Sequence, residues 1–98
     1  MRDQAELEKV KSLLAILSEI APGHAVEVRV PPYAAIQCVE GPKHTRGTPP
    51  NVIEMSAETW LALASGELKW NDAIDSGDVS ATGARADLSE YLPIGASQ

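Results

Sequence analysis

Along the first twenty residues the apolar positions recur at helical spacing. Leu7, Val10, Leu14 and Leu17 form one stripe, with Leu13 and Ile20 on its flank. Asp3 stands at the N-cap position of this helix, Glu6 follows three residues on as in a capping box, and Pro22-Gly23 ends the pattern. The period then changes from 3.6 to 2. Val26, Val28 and Val30 alternate with Glu27 and Arg29, which is the signature of a half-buried strand. Pro31-Pro32 interrupts the ladder, and the alternation resumes over residues 34–39 with Ala34, Ile36 and Cys38 on one face. So few residues separate the two runs that an antiparallel hairpin is the natural pairing.

Residues 40–50 carry no apolar period and read as an exposed loop. Beyond them, residues 51–92 read strand, helix, short helix, strand, helix with almost no spare residues. Asn51-Val-Ile-Glu-Met55 suits a strand. Ser56 can cap a helix that starts at Ala57, in which Trp60, Leu63 and Ala64 share a face beside Leu61, and Gly66 supplies the left-handed stop. Trp70-Asn-Asp-Ala-Ile-Asp-Ser-Gly77 repeats the pattern in miniature, with Asn71 as its cap. Val79, Ser80, Ala81 and Thr82 alternate as a strand that stops at Gly83. Leu88, Tyr91 and Leu92 then predict a last helix over residues 84–92, closed by Pro93. Trp60, Leu63, Ile74 and Leu88 are expected to face the sheet.

The phrases Trp60-Leu-Ala-Leu-Ala-Ser-Gly66, Ala73-Ile-Asp-Ser-Gly77 and Val79-Ser-Ala-Thr-Gly83, in that order and spacing, resemble the C-terminal half of the sterol carrier protein-2 family. The match covers a little under half of the chain. The remaining wording, Pro31-Pro-Tyr-Ala-Ala-Ile-Gln-Cys-Val-Glu-Gly41 and then His44-Thr-Arg-Gly-Thr-Pro-Pro-Asn51, is similar to short stand-alone bacterial members of the sterol-carrier-like group. The fold expected is α+β: a curved, mainly antiparallel sheet of about four strands with helices packed on one face. The resemblance implies an apolar tunnel between sheet and helices that holds a sterol or fatty acyl chain, with the last helix near its mouth. The candidate pocket residues are then Trp60, Leu63, Trp70, Ile74, Leu88 and Tyr91.

Composition narrows the classes. A chain of 98 residues is expected to form one domain over residues 1–98, with frayed ends at 1–2 and 95–98. No run approaches the ~18 apolar residues of a membrane span, and Met1 is followed by charged residues, so a cytoplasmic protein is expected. Fourteen acidic residues against eight basic ones give a net charge of −6, which argues against nucleic acid and anionic membrane surfaces as partners. Against that sign, Lys43, His44 and Arg46 gather within four positions of the loop. They are a solvated basic turn or a seat for a carboxylate or phosphate head group.

No metal site, cofactor or catalytic constellation emerges from the residues. His24, His44 and Cys38 have no ligand spacing, Cys38 sits where a small core hydrophobe belongs, and Asp72 and Asp75 are accounted for as solvated residues of a short helix. Trp60 and Trp70 supply the bulk that the absent Phe would otherwise give, either as core or as pocket lining. The function expected is a small lipid- or sterol-carrier-like protein, not an enzyme, whose partner is a fatty acid, sterol or other apolar molecule. The alternative is a non-catalytic helper or interaction module with a protein partner, related by resemblance to the C-terminal domain of mycothiol-dependent isomerases. Cavity energetics bear on the choice. An empty pocket of ~300 Å³ costs on the order of 7 kcal/mol at ~24 cal/mol per Å³, comparable with the whole stability of a small domain. A pocket here must be filled by a ligand, open to water, or collapsed.

Overall fold

The computed structural model describes residues 4–41 and 51–94. Helix α1 (Gln4–Ile20) buries Val10, Leu14 and Leu17, the stripe set by the 3.6 period. Strands β1 (Val26–Val30) and β2 (Ala34–Cys38) form the expected antiparallel hairpin, pairing Val28 with Ile36 and Val26 with Cys38. Strand β3 (Asn51–Met55) lies parallel to β1 on its other side, with Val28 opposite Ile53. Helix α2 (Ala57–Ser65) and helix α3 (Trp70–Ser76) precede strand β4 (Val79–Thr82), which pairs antiparallel with β3. The sheet order is β2-β1-β3-β4, so the architecture is α+β with two antiparallel pairings and one parallel pairing.

One face of the sheet carries the core. Val26, Val28, Val30, Cys38, Ile53, Met55 and Val79 are buried on it together with Trp60 and Leu63 of α2. The opposite face shows the polar half of each alternation. There Arg29 donates to Glu27 at 2.5 Å, and this pair with the nearby Glu54 raises the guanidinium pKa still further. Ser56 caps α2 as its position predicts, its hydroxyl accepting from the Thr59 N–H at 3.1 Å. Gly66 closes the helix at φ 90°, a backbone region in which a Cβ is strained. Among the described residues no helix is long and apolar enough to cross a membrane.

Three expectations need correction. The first is the helix over residues 84–92, of which only a single 3-10 turn, Ser89–Tyr91, forms. Both partners of the helical bond from Ser89 N–H to the Arg85 carbonyl are diverted: the Arg85 carbonyl accepts from Asp87 N–H at 2.9 Å, and Asp87 Oδ1 accepts from Ser89 N–H at 2.8 Å. The second is Ile74, which is 36% exposed. Trp70 and Ala73 already fill the inward face of this two-turn helix, and Ile74 lies a further hundred degrees around it. The third is the cap of α3. The helix starts at Trp70, so Asn71 is inside its first turn, and Lys69 occupies the cap position without a side-chain hydrogen bond. Asp3, expected to cap α1, lies outside the described residues.

Candidate functional site

The end of α2 turns sharply. The Gly66 N–H reaches back to the Leu63 carbonyl at 3.3 Å and the Leu68 N–H to the Ala62 carbonyl at 3.2 Å, which directs the chain straight into α3. The C-terminal segment returns to the same place. Its Ile94 N–H donates to the Ala64 carbonyl at 2.9 Å, laying residues 89–93 alongside the α2–α3 junction. Between these walls lies a cleft of about 450 Å³. Leu63, Leu68, Trp70, Leu92 and Pro93 provide its apolar surface, and Gly66, Lys69, Asn71, Asp72 and Ser89 the rest. Trp70 is buried, whereas Lys69, Asn71, Asp72, Ser89 and Pro93 are exposed, so the concavity opens to water.

Of the six residues expected around a pocket, the structure brings Leu63 and Trp70 together in this cleft. Trp60 and Leu88 have no accessible surface and Leu63 only 1%, which means that water-sized voids do not touch Trp60 or Leu88. Trp60 is instead fixed in the core, its indole Nε1–H donating to the Val10 carbonyl at 3.3 Å. Ile74 faces solvent. Tyr91 is half-buried beside the cleft rather than in its lining, and burial, with the negative charges of Glu90 and Glu40, pushes its phenol above the usual pKa. Lys43, His44 and Arg46 lie outside the described residues. Sequence reasoning missed Leu68, Lys69, Asn71, Ser89, Leu92 and Pro93 as cleft residues. Pro93 reads in the sequence only as a helix stop, and what brings it to the cleft is its contact with Gly66, a residue far away in the chain.

The chemistry outside the cleft is quiet. Burial pushes the Cys38 thiol up to about 11, so at neutral pH it is a protonated core side chain rather than a nucleophile. His24 Nδ1 lies 3.0 Å from Gln37 Oε1 on the exposed side of the hairpin. Among the described residues no group of three or more His, Cys, Asp and Glu side chains could hold a metal ion.

A family model described as "Bacterial SCP ortholog" matches residues 2–94 of the chain. Among solved structures, the crystal structure of sterol carrier protein 2 like 2 from Aedes aegypti is similar over 92% of this chain and 92% of that one, at 16% sequence identity and a TM-score of 0.44. No curated protein matches the sequence.

Proposed function

We propose that this chain, which belongs to the bacterial SCP ortholog family, is a non-catalytic carrier-like protein that takes an apolar or amphipathic small molecule into the α2–α3 cleft. The observation that carries this reading is the cleft itself. Its volume of about 450 Å³ falls in the range of small-molecule sites, and it combines an apolar floor with a few polar groups at the rim, as such sites do. Because the cleft is open to water and Trp60 and Leu88 are fully buried in the core, the protein does not carry the energetic burden of a large dry void. Fatty acids and sterols are the probes that fit this description. Leu63 and Trp70 serve as ligand contacts.

The test is a titration of the protein with single-chain fatty acids and sterols, read by tryptophan fluorescence and by melting temperature. A bound ligand changes the emission of Trp70 and raises the melting temperature through linkage, by the equivalent of about 2.7 kcal/mol at a hundredfold excess over Kd. If neither signal responds across the panel, and native mass spectrometry of freshly purified protein shows no added mass, the carrier reading fails.

A further inference from the structure

The buried stripe of α1 has a second row of side chains beside it. Lys9, Leu13, Ile16 and Ile20 follow one another at steps of four, three and four, the spacing of a coiled-coil seam, and the row is turned about ninety degrees around the helix from Val10, Leu14 and Leu17. Leu13 and Ile16 are half-buried against the core, whereas Ile20 is 49% exposed, the most of any large apolar side chain among the described residues. The row thus carries a knob at one end. At its other end lies a hollow, lined by Ala5, Glu6 and Lys9 of α1 and by the half-buried Leu61 of α2. Lys9 and Ile20 stand roughly 16 Å apart along the helix axis.

We propose that this row is the seam of a two-fold dimer in which α1 packs antiparallel against α1 of a second copy of the chain, each Ile20 entering the other copy's hollow. Self-complementarity names the occupant. A knob and a hollow at opposite ends of one row fill each other in both directions only when the second helix runs the opposite way, which is the geometry of a closed two-fold contact. The register that brings Ile20 opposite Lys9 also brings Leu13 opposite Ile16, so apolar side chains meet along the middle of the seam. Charge fits the same register. Glu19 of one copy falls beside Lys9 of the other, twice over by symmetry, so the Lys9 stem lies on Ile20 while its ammonium meets the Glu19 carboxylate. A parallel pairing in register would set Lys9 against Lys9 and leave both hollows empty. The α2–α3 cleft stays open in the dimer, because Leu61 and Leu63 leave α2 on nearly opposite sides and the cleft lies on the Leu63 side.

The experiment is sedimentation equilibrium of the full chain over a wide range of concentration, up to about 1 mM. One helix face is at the small end of specific interfaces, so a monomer–dimer equilibrium with a Kd on the order of 10–100 μM is expected. Lys9→Glu and Glu19→Lys each set like charges against each other twice and should weaken the dimer roughly tenfold. The double variant restores opposite charges with their signs exchanged and should recover most of that loss, which a merely destabilised helix would not do. Ile20→Asp should leave only monomer. All three side chains are exposed, so circular dichroism melts of dilute samples should agree with the wild type. A chain that stays monomeric up to about 1 mM, a dimer that neither charge reversal weakens, or a double variant no stronger than the single ones would overturn the inference.

Discussion

The side-chain oxygen of Asn51 accepts a hydrogen bond from the backbone N–H of Arg85 at 2.9 Å, across 34 positions of sequence. The same amide donates through Nδ2 to the Ala25 carbonyl at 2.8 Å, and Asn51 is the one polar residue that is buried among those described. One side chain thus fastens the start of β3 to the residue before β1 and to the beginning of the C-terminal segment. Since that segment goes on to form a wall of the cleft, Asn51 holds the site in place from a distance.

Replacing Asn51 by Ala should therefore be expensive. It leaves the Ala25 carbonyl and the Arg85 N–H without their partner, at about 1–3 kcal/mol for a buried group. We expect Asn51→Ala to lower the unfolding free energy by about 2–4 kcal/mol in urea titration. Hydrogen exchange should localise the effect, with residues 85–92 gaining the most. A loss under half a kcal/mol would mean that water replaces the amide without penalty.

Trp60 offers a second test, because its bulk and its hydrogen bond separate by substitution. Trp60→Phe removes the Nε1–H donor to Val10 while keeping an aromatic ring, and should cost about 1–2 kcal/mol. The Val10 carbonyl lies within α1, so its helical bond persists and the penalty stays modest. Trp60→Ala empties the space of a fully buried indole and should cost about 3–5 kcal/mol. If the two variants were equally stable, the ring would not be packed as described.

How far the sequence discloses this fold depends on whether the controlling contact is local. The α2 boundaries are legible because Ser56 bonds Thr59 three residues away and Gly66 stops the helix by its own backbone conformation. The β1–β2 register follows from strict alternation around a short turn. Residues 84–92 mislead because Leu88, Tyr91 and Leu92 have helical spacing, yet a turn that drops Leu88 into the core produces the same spacing. The diverted Arg85 carbonyl and Ser89 N–H break the helix, the buried Asn51 amide anchors the start of the segment from 34 positions away, and nothing near Asn51 in the sequence announces that its side chain will be buried. The cleft is obscure for the same reason. Leu63 and Trp70 stand out as large apolar residues, but the opposing wall of Leu92 and Pro93 arrives by tertiary folding alone.

Gly66 sits where that wall meets α2. A Cβ built on it would lie 3.4 Å from Cβ and Cγ of Pro93, an ordinary contact, so the cost of Gly66→Ala comes from its left-handed backbone. We expect a loss of about 1–2 kcal/mol, and a smaller one for Gly66→Asn, which tolerates that conformation better. Gly77 is the control: it closes α3 at φ 84° and a Cβ there has no neighbour within 4 Å. Gly77→Ala should match Gly66→Ala in chemical denaturation. A much larger loss at Gly66 would show that Pro93 cannot yield even slightly at the cleft wall.

The last prediction concerns pH and Cys38, which is fully buried on β2 with its thiol pushed up to about 11 by desolvation. In the unfolded chain a cysteine titrates near 8.5. Below that value both states hold the proton, so the contribution of burial is fully present and flat with pH. Between about 8.5 and 11 the unfolded chain has released its proton while the folded one has kept it, so rising pH favours unfolding. The stability lost across this window should be on the order of 3 kcal/mol. Tyrosine and lysine titrate in the same range, so the quantity to measure is the difference between wild type and Cys38→Ala in urea titrations at pH 7, 8, 9 and 10. That difference should be constant up to about pH 8 and then shift steadily against the wild type. Alkylation should agree: iodoacetamide at pH 8 should label Cys38 only at the rate at which the protein unfolds, and quickly in denaturant. Rapid labelling of the native protein, or a difference that does not change with pH, would show that the thiol reaches water and that this part of the core is not closed.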